Sequence, residues 1–265
     1  KLGLDIQRWM REGLVDLVVP STFFHADPEE DMTEWVNLAK DTGIGIYPAI
    51  ESAYSANHTG GVVRCFYNPP VLLPLTKEMS CAIASRHYRN GVDGLYLFNW
   101  TRTPALLMIG DREKLIYANK TYFLMRRDDL FPNCLPQRQI PVRLTEKSSK
   151  VYVTIADDLV RYRKKLSGVK MWVHYTNLTN RDKIEVKING KEITRFTSKA
   201  LVGEELYTGM TENWLIYDLM EHLPIMGCNE MEFRVLQREP RVASELPLEI
   251  ADLEMRVEYM DSQKI

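Results

Sequence analysis

Residues 43–52 read GIGIYPAIES, and the fold turns on them. The stretch reads as a short strand that opens on a glycine and delivers Glu51 to its carboxyl end. Working outward, LVDLVVPS at residues 14–21 and DGLYLFNW at residues 93–100 have the same character. Residues 14–20 are almost continuously apolar, the pattern of a strand buried on both faces. Each run is followed by a helix-like segment, so strand and helix alternate over residues 1–130. Side chains at the carboxyl ends of such strands surround the ligand site in parallel folds. That singles out Glu51 and Trp100.

The helices carry their own signals. Asp27-Pro28-Glu29-Glu30 predicts a helix start: Asp27 caps, Pro28 suits the first helical position and Glu30 reaches back. Trp35, Leu38 and Ala39 give its apolar stripe, and Gly43 ends it. A second helix is predicted over residues 75–89, stopped by Asn90-Gly91, and a third over residues 104–124. After Glu51 comes a polar loop with SANHTGG and NPP, long for a simple connection between strand and helix.

Farther on the period changes. Residues 126–146, rich in Pro, Asn and Arg, read as a linker. KVYVTI (150–155), VKMWVHY (169–175), IEVKI (184–188), WLIYDL (214–219), EMEFRVL (230–236) and LEMRVEY (253–259) then alternate with a period of two. This is the mark of half-buried antiparallel strands. Asn189-Gly190 predicts a hairpin turn, because both residues accept positive φ. The expected organisation is an α/β unit over residues 1–130, a linker over 131–146 and an all-β antiparallel sandwich, jelly-roll-like, over 147–265.

Bulk properties narrow the function. The net charge of -2 provides no field that would drive nucleic-acid binding, and the basic residues Arg161, Arg163, Lys164 and Lys165 read as a solvated surface. No apolar run approaches the roughly 20 residues that span a bilayer. Cys65, Cys81, Cys134 and Cys228 form no close pair and no metal-ligand spacing. Asn57, Asn99, Asn119 and Asn177 each open an N-glycosylation pattern, with Asn99 expected to be buried, which points to the secretory route or the cell exterior. The chain begins at Lys1 inside an amphipathic segment and reads as a processed chain or a fragment. No glycine-rich phosphate loop follows any of the three strands, no Gly-x-Ser-x-Gly elbow exists and the five histidines are scattered. Nucleotide folds, serine hydrolases and metal hydrolases therefore find no support, and no cofactor or metal is expected.

Taken together, GLDIQRWMREGLVDLVVPS, GIGIYPAIES and YRNGVDGLYLFNW resemble the glycoside hydrolase-like barrel proteins related to family 10 glycosidases. The resemblance covers about half of the chain. It implies a partial (β/α)8 barrel made of the last three βα units, with the missing barrel half in a parent chain. Residues 214–236 are similar to the strand-loop-strand of galactose-binding-like sandwiches appended to such enzymes. The resemblance makes Glu51 the nucleophile or stabilising carboxylate for cleavage of O-glycosidic bonds. Retaining chemistry needs a second carboxyl group about 5–5.5 Å away. The resemblance puts that acid on an absent strand, so this chain alone would be inactive. Trp100 matches a sugar-stacking tryptophan, and Tyr47, Tyr54, His25 and Asn99 are candidates to line the same face. The rival reading is a non-catalytic carbohydrate-binding or cell-surface interaction protein in which Trp100 is a packing anchor and Glu51 a loop carboxylate. Either way the expected partner is a carbohydrate.

Overall fold

Alternating apolar side chains bury best on a pleated surface, and most of the described regular structure takes that form. A computed structural model describes residues 4–22, 26–56, 71–101, 103–124, 139–202, 211–240 and 246–260. Its elements run, in order, α1 (Ile6–Arg11), β1 (Leu17–Val18), α2 (Thr33–Ala39), β2 (Gly45–Ile46), β3 (Ala49–Glu51), β4 (Ala53–Ala56), β5 (Val71–Pro74), α3 (Lys77–Asn90), β6 (Tyr96–Phe98), α4 (Leu106–Ile109), α5 (Arg112–Ile116) and β7 (Lys120–Leu124). Then follow β8 (Val142–Arg143), β9 (Ser149–Ile155), β10 (Leu166–Thr176), β11 (Lys183–Ile188), β12 (Lys191–Glu192), β13 (Phe196–Val202), β14 (Thr211–Asp218), β15 (Gly227–Gln237) and β16 (Glu249–Tyr259).

Two antiparallel sheets dominate. One has the order β13-β14-β10-β16-β7, with β8 also pairing β16, and the other has the order β12-β11-β15-β9. Their inner faces share one core. Tyr122, Val169, Met171, Val173, Leu253, Met255 and Val257 from the first sheet meet Val151, Val153, Val186, Met231 and Phe233 from the second. The alternation in β16 is strict: odd residues from Leu253 to Tyr259 are buried and even ones are half-buried. Asn189 (φ 48°) and Gly190 (φ 79°) turn the chain from β11 into β12.

The expected α/β half, with the last three βα units of a barrel, is corrected by the structure. The chain is mostly β, and among the described helices only α3 exceeds seven residues. Among the described residues, parallel pairing is confined to β1 with β2 over two residues and β3 with β6 over three. Backbone bonds from Gly45 N to Asp16 O (3.0 Å) and from Tyr96 N to Pro48 O (3.0 Å) extend these contacts only slightly. Two local causes stand out. The stretch after Glu51 does not lead straight into a helix, because β4 folds back on β5 as an antiparallel pair. The helix predicted over residues 104–124 breaks into α4 and α5, and its end becomes β7, antiparallel to β16. Thr121, Tyr122 and Phe123 are β-branched or aromatic and suit a strand.

The helix predicted to open at Asp27 starts later. Asp27 Oδ1 accepts from Glu29 N (2.9 Å) in a turn, and α2 begins at Thr33, whose N–H bonds Asp31 Oδ1 (2.9 Å). By contrast α3 is framed as its residues dictate. Thr76 Oγ1 accepts from Met79 N (3.1 Å), and Gly91 closes it with φ 93°.

Candidate functional site

The carboxyl ends of β3 and β6 lie side by side, because Glu51 is in register with Phe98. This places Glu51 next to Asn99 and Trp100. The Glu51 side chain is buried, with 5 % of the residue exposed. Its Oε2 accepts a hydrogen bond from Asn99 Nδ2 at 3.2 Å. Asn99, expected to be buried, is exposed, and it holds φ 59°. Asparagine tolerates that left-handed backbone better than most residues, and the turn is what swings its amide back onto Glu51. Trp100 is half-buried and its indole N–H donates to Ile50 O at 2.7 Å. The ring is therefore fixed by the strand that carries Glu51.

The two tyrosines lie on either side of Glu51 in sequence and behave differently. Tyr47 keeps 37 % of its surface exposed and lays its ring over the backbone of Gly45 and Gly94. A Cβ at Gly94 would come within 2.5 Å of that ring, and one at Gly45 within 2.7 Å, so both glycines are required for it to lie flat. Tyr54 turns into the molecule and meets Phe123 edge-on, 5.2 Å between centroids. Burial, and then the carboxylates of Glu254 and Asp252, push its hydroxyl up to about 12. It stays a neutral donor at physiological pH. His25 lies outside the described residues, as do Asn57, Cys65 and Cys134.

Tyr54 leads to a group that the sequence did not single out. On the face of the larger sheet turned away from the core, Asp252 Oδ2 lies 2.9 Å from His174 Nδ1, and His174 stacks on Trp214 at 5.3 Å. Next to them Glu254 Oε2 accepts from Arg256 Nε at 2.8 Å, and the Arg256 guanidinium covers the Trp172 ring at 3.8 Å. Burial raises the Glu254 carboxyl above its usual range, against the pull of Arg256. Even-numbered charges in LEMRVEY look like a solvated face by alternation alone. The signal that could have found them is the pairing of Trp172 and His174 at outward positions of β10, since such side chains on a wet face are unusual.

Among the described residues no group of three or more His, Cys, Asp or Glu side chains could hold a metal ion. No helix among them is long and apolar enough to cross a membrane. Chemically, the cluster offers one buried carboxylate, an amide that orients it and an indole that is tied to Ile50 O and packs on the core around Ile50. A search against protein-family models and curated proteins finds no match for this sequence.

Proposed function

We propose that the chain handles a carbohydrate and acts on its O-glycosidic bonds, with Glu51 as nucleophile or stabilising carboxylate and Trp100 as the surface on which a sugar ring stacks. The observation that carries this reading is the buried Glu51 carboxylate, oriented by Asn99 at 3.2 Å, on a strand whose neighbouring Ile50 O holds the Trp100 indole. Burying a carboxylate is costly, and a fold that needed only packing at this position would be served by an apolar residue. A pyranose has an apolar face that fits an indole, while a carboxylate can attack or stabilise the anomeric carbon as positive charge develops there.

The test uses a glycan array and then turnover of whatever is retained. Wild-type protein should be retained, and Trp100→Ala should weaken retention by about tenfold, the scale of one aromatic contact. Glu51→Gln keeps the shape and the Asn99 neighbour but removes the charge. In a protein that also carries the second carboxyl group such chemistry needs, it should keep retention and lower turnover roughly 100- to 10,000-fold. Equal turnover by Glu51→Gln and wild type, or no retention of any glycan, would remove this reading. Retention with no turnover by the wild type would leave a binding protein in its place.

A further inference from the structure

We infer that residues 26–31 form a pH-sensitive latch between α3 and the smaller sheet, held shut while Glu30 is protonated and loosened when it ionises. The segment is gripped from both sides. From α3, Arg86 donates to Pro28 O and, at 3.3 Å, to Glu29 O. From the other side the Gln139 amide donates to Glu29 Oε1 and, at 2.9 Å, to Tyr152 O, while its own oxygen accepts from Tyr152 N at 2.7 Å. Tyr152 lies in β9, an edge strand, so Gln139 fills open backbone groups of the sheet and holds Glu29 at the same time. The segment also reaches the strand that follows Glu51, through Ala26 N to Ala53 O at 2.8 Å.

Glu30 is the weak point of this arrangement. It is half-buried, and no hydrogen bond to its carboxyl is found among the described residues. It faces the Asp27 carboxylate on its own segment and Arg86 from α3. Arg86 is shared, because Glu29, Asp27, Asp31 and, from β7, Tyr122 lie around it as well. The smaller sheet contributes the neutral Gln139 amide and the Tyr152 backbone. Burial, and then the Asp27 charge, push the Glu30 carboxyl from its ordinary 4.5 up to about 7, against the pull of Arg86. An ionised Glu30 regains water only if its segment lifts, and the bonds of Arg86 and Gln139 to Pro28 and Glu29 go with it. The shut latch holds the proton more tightly than the open one, so it is firmest below about pH 4.5 and loosens as pH rises through about 7. The opening constant should rise about tenfold from pH 6 to pH 8 and level off above that. The device does not rest on the function proposed for Glu51.

Backbone hydrogen exchange of the full chain at pH 6 and pH 8, corrected for the intrinsic rate of each amide, tests the assignment. The reporters are Tyr152 N–H, held by Gln139, and Ala26 N–H, held by Ala53 O. Both should exchange faster than the amides of β10 at the centre of the larger sheet, which mark global unfolding. Both should show an opening constant about tenfold larger at pH 8. Glu30→Gln keeps the shape but cannot ionise, and its opening constants should be equal at the two pH values. Gln139→Ala should raise exchange at Tyr152 at both values and leave the pH dependence at Ala26. Thermal unfolding of each variant establishes that it is folded. The same pH dependence in Glu30→Gln as in the wild type, no pH dependence in the wild type, or exchange of Tyr152 and Ala26 at the global rate of β10 would overturn it.

Discussion

Lys120 is the residue on which the two halves of the chain are tied. It is 1 % exposed, and its ammonium lies 2.8 Å from Asp157 Oδ1. It also donates to Leu115 O and, at 3.1 Å, to Ala118 O. Asp157 accepts in addition from Tyr122 (2.5 Å) and Tyr259 (2.9 Å), so its lone pairs are well used. Burial, and then the Asp157 charge, hold the Tyr122 hydroxyl far above its ordinary range. A buried pair of this kind adds little over an apolar pair, but breaking it strands a charge. Lys120→Met should therefore cost roughly 3–5 kcal/mol, read by denaturant unfolding. Lys120→Met with Asp157→Leu should recover part of that loss. If the double variant is no better than the single one, the stranded charge is not the cause. At the same scale, Glu51 and Trp100 were open to sequence reasoning because each closes a strand-like run. Asp252, Glu254 and His174 were hidden, because outward positions of a strand look alike until something packs on them.

At the scale of the element, α3 organises the first half. Arg86 projects from it and donates to Pro28 O and, at 3.3 Å, to Glu29 O, clamping the segment before α2. Within that segment burial, and then the neighbouring Asp27 charge, push the Glu30 carboxyl up to about 7, against the pull of Arg86. The folded form holds the Glu30 proton more tightly than the unfolded chain, whose value is near 4.5. Stability from this group is full below about pH 4.5 and is lost as pH rises through about 7. Glu30→Gln should therefore flatten the fall in thermal midpoint between those two values. Parallel loss of stability in wild type and variant would place the titration elsewhere. Elements with strong end signals were readable in advance. Thr76 and Gly91 frame α3, and Asn189-Gly190 turns β11 into β12. Residues 104–124 were not, since Gly110 and Asp111 interrupt an apolar run whose tail has equal claim to strand and helix.

For the whole molecule, the membership of β7 matters most. It follows α5 in the chain, yet it is an edge strand of the larger antiparallel sheet, fully buried along its length. One face, through Tyr122 and Leu124, joins the core between the sheets. The other, through Phe123, joins the core that contains Ile50, Met79 and Ile83. A chain limited to residues 139–265 loses this strand and leaves Asp157 without Lys120 and Tyr122. It should unfold at a clearly lower temperature and with poorer cooperativity than the full chain in calorimetry. An equal midpoint would show that the sheets do not depend on the first half.

Local periodicity was enough to locate the strands at residues 150–155, 169–175 and 253–259, since each alternation reflects one buried and one wetter face of the same strand. Strand-like runs also singled out Glu51 and Trp100 at their ends, whereas the pairing of Asn99 with Glu51 is seen only in the folded chain. Only the tertiary structure decided that β4 returns on β5, that β7 joins the antiparallel sheet and that Asp252 and Glu254 influence Tyr54. Those outcomes depend on contacts between residues far apart in sequence, whose free energy overrides local preference.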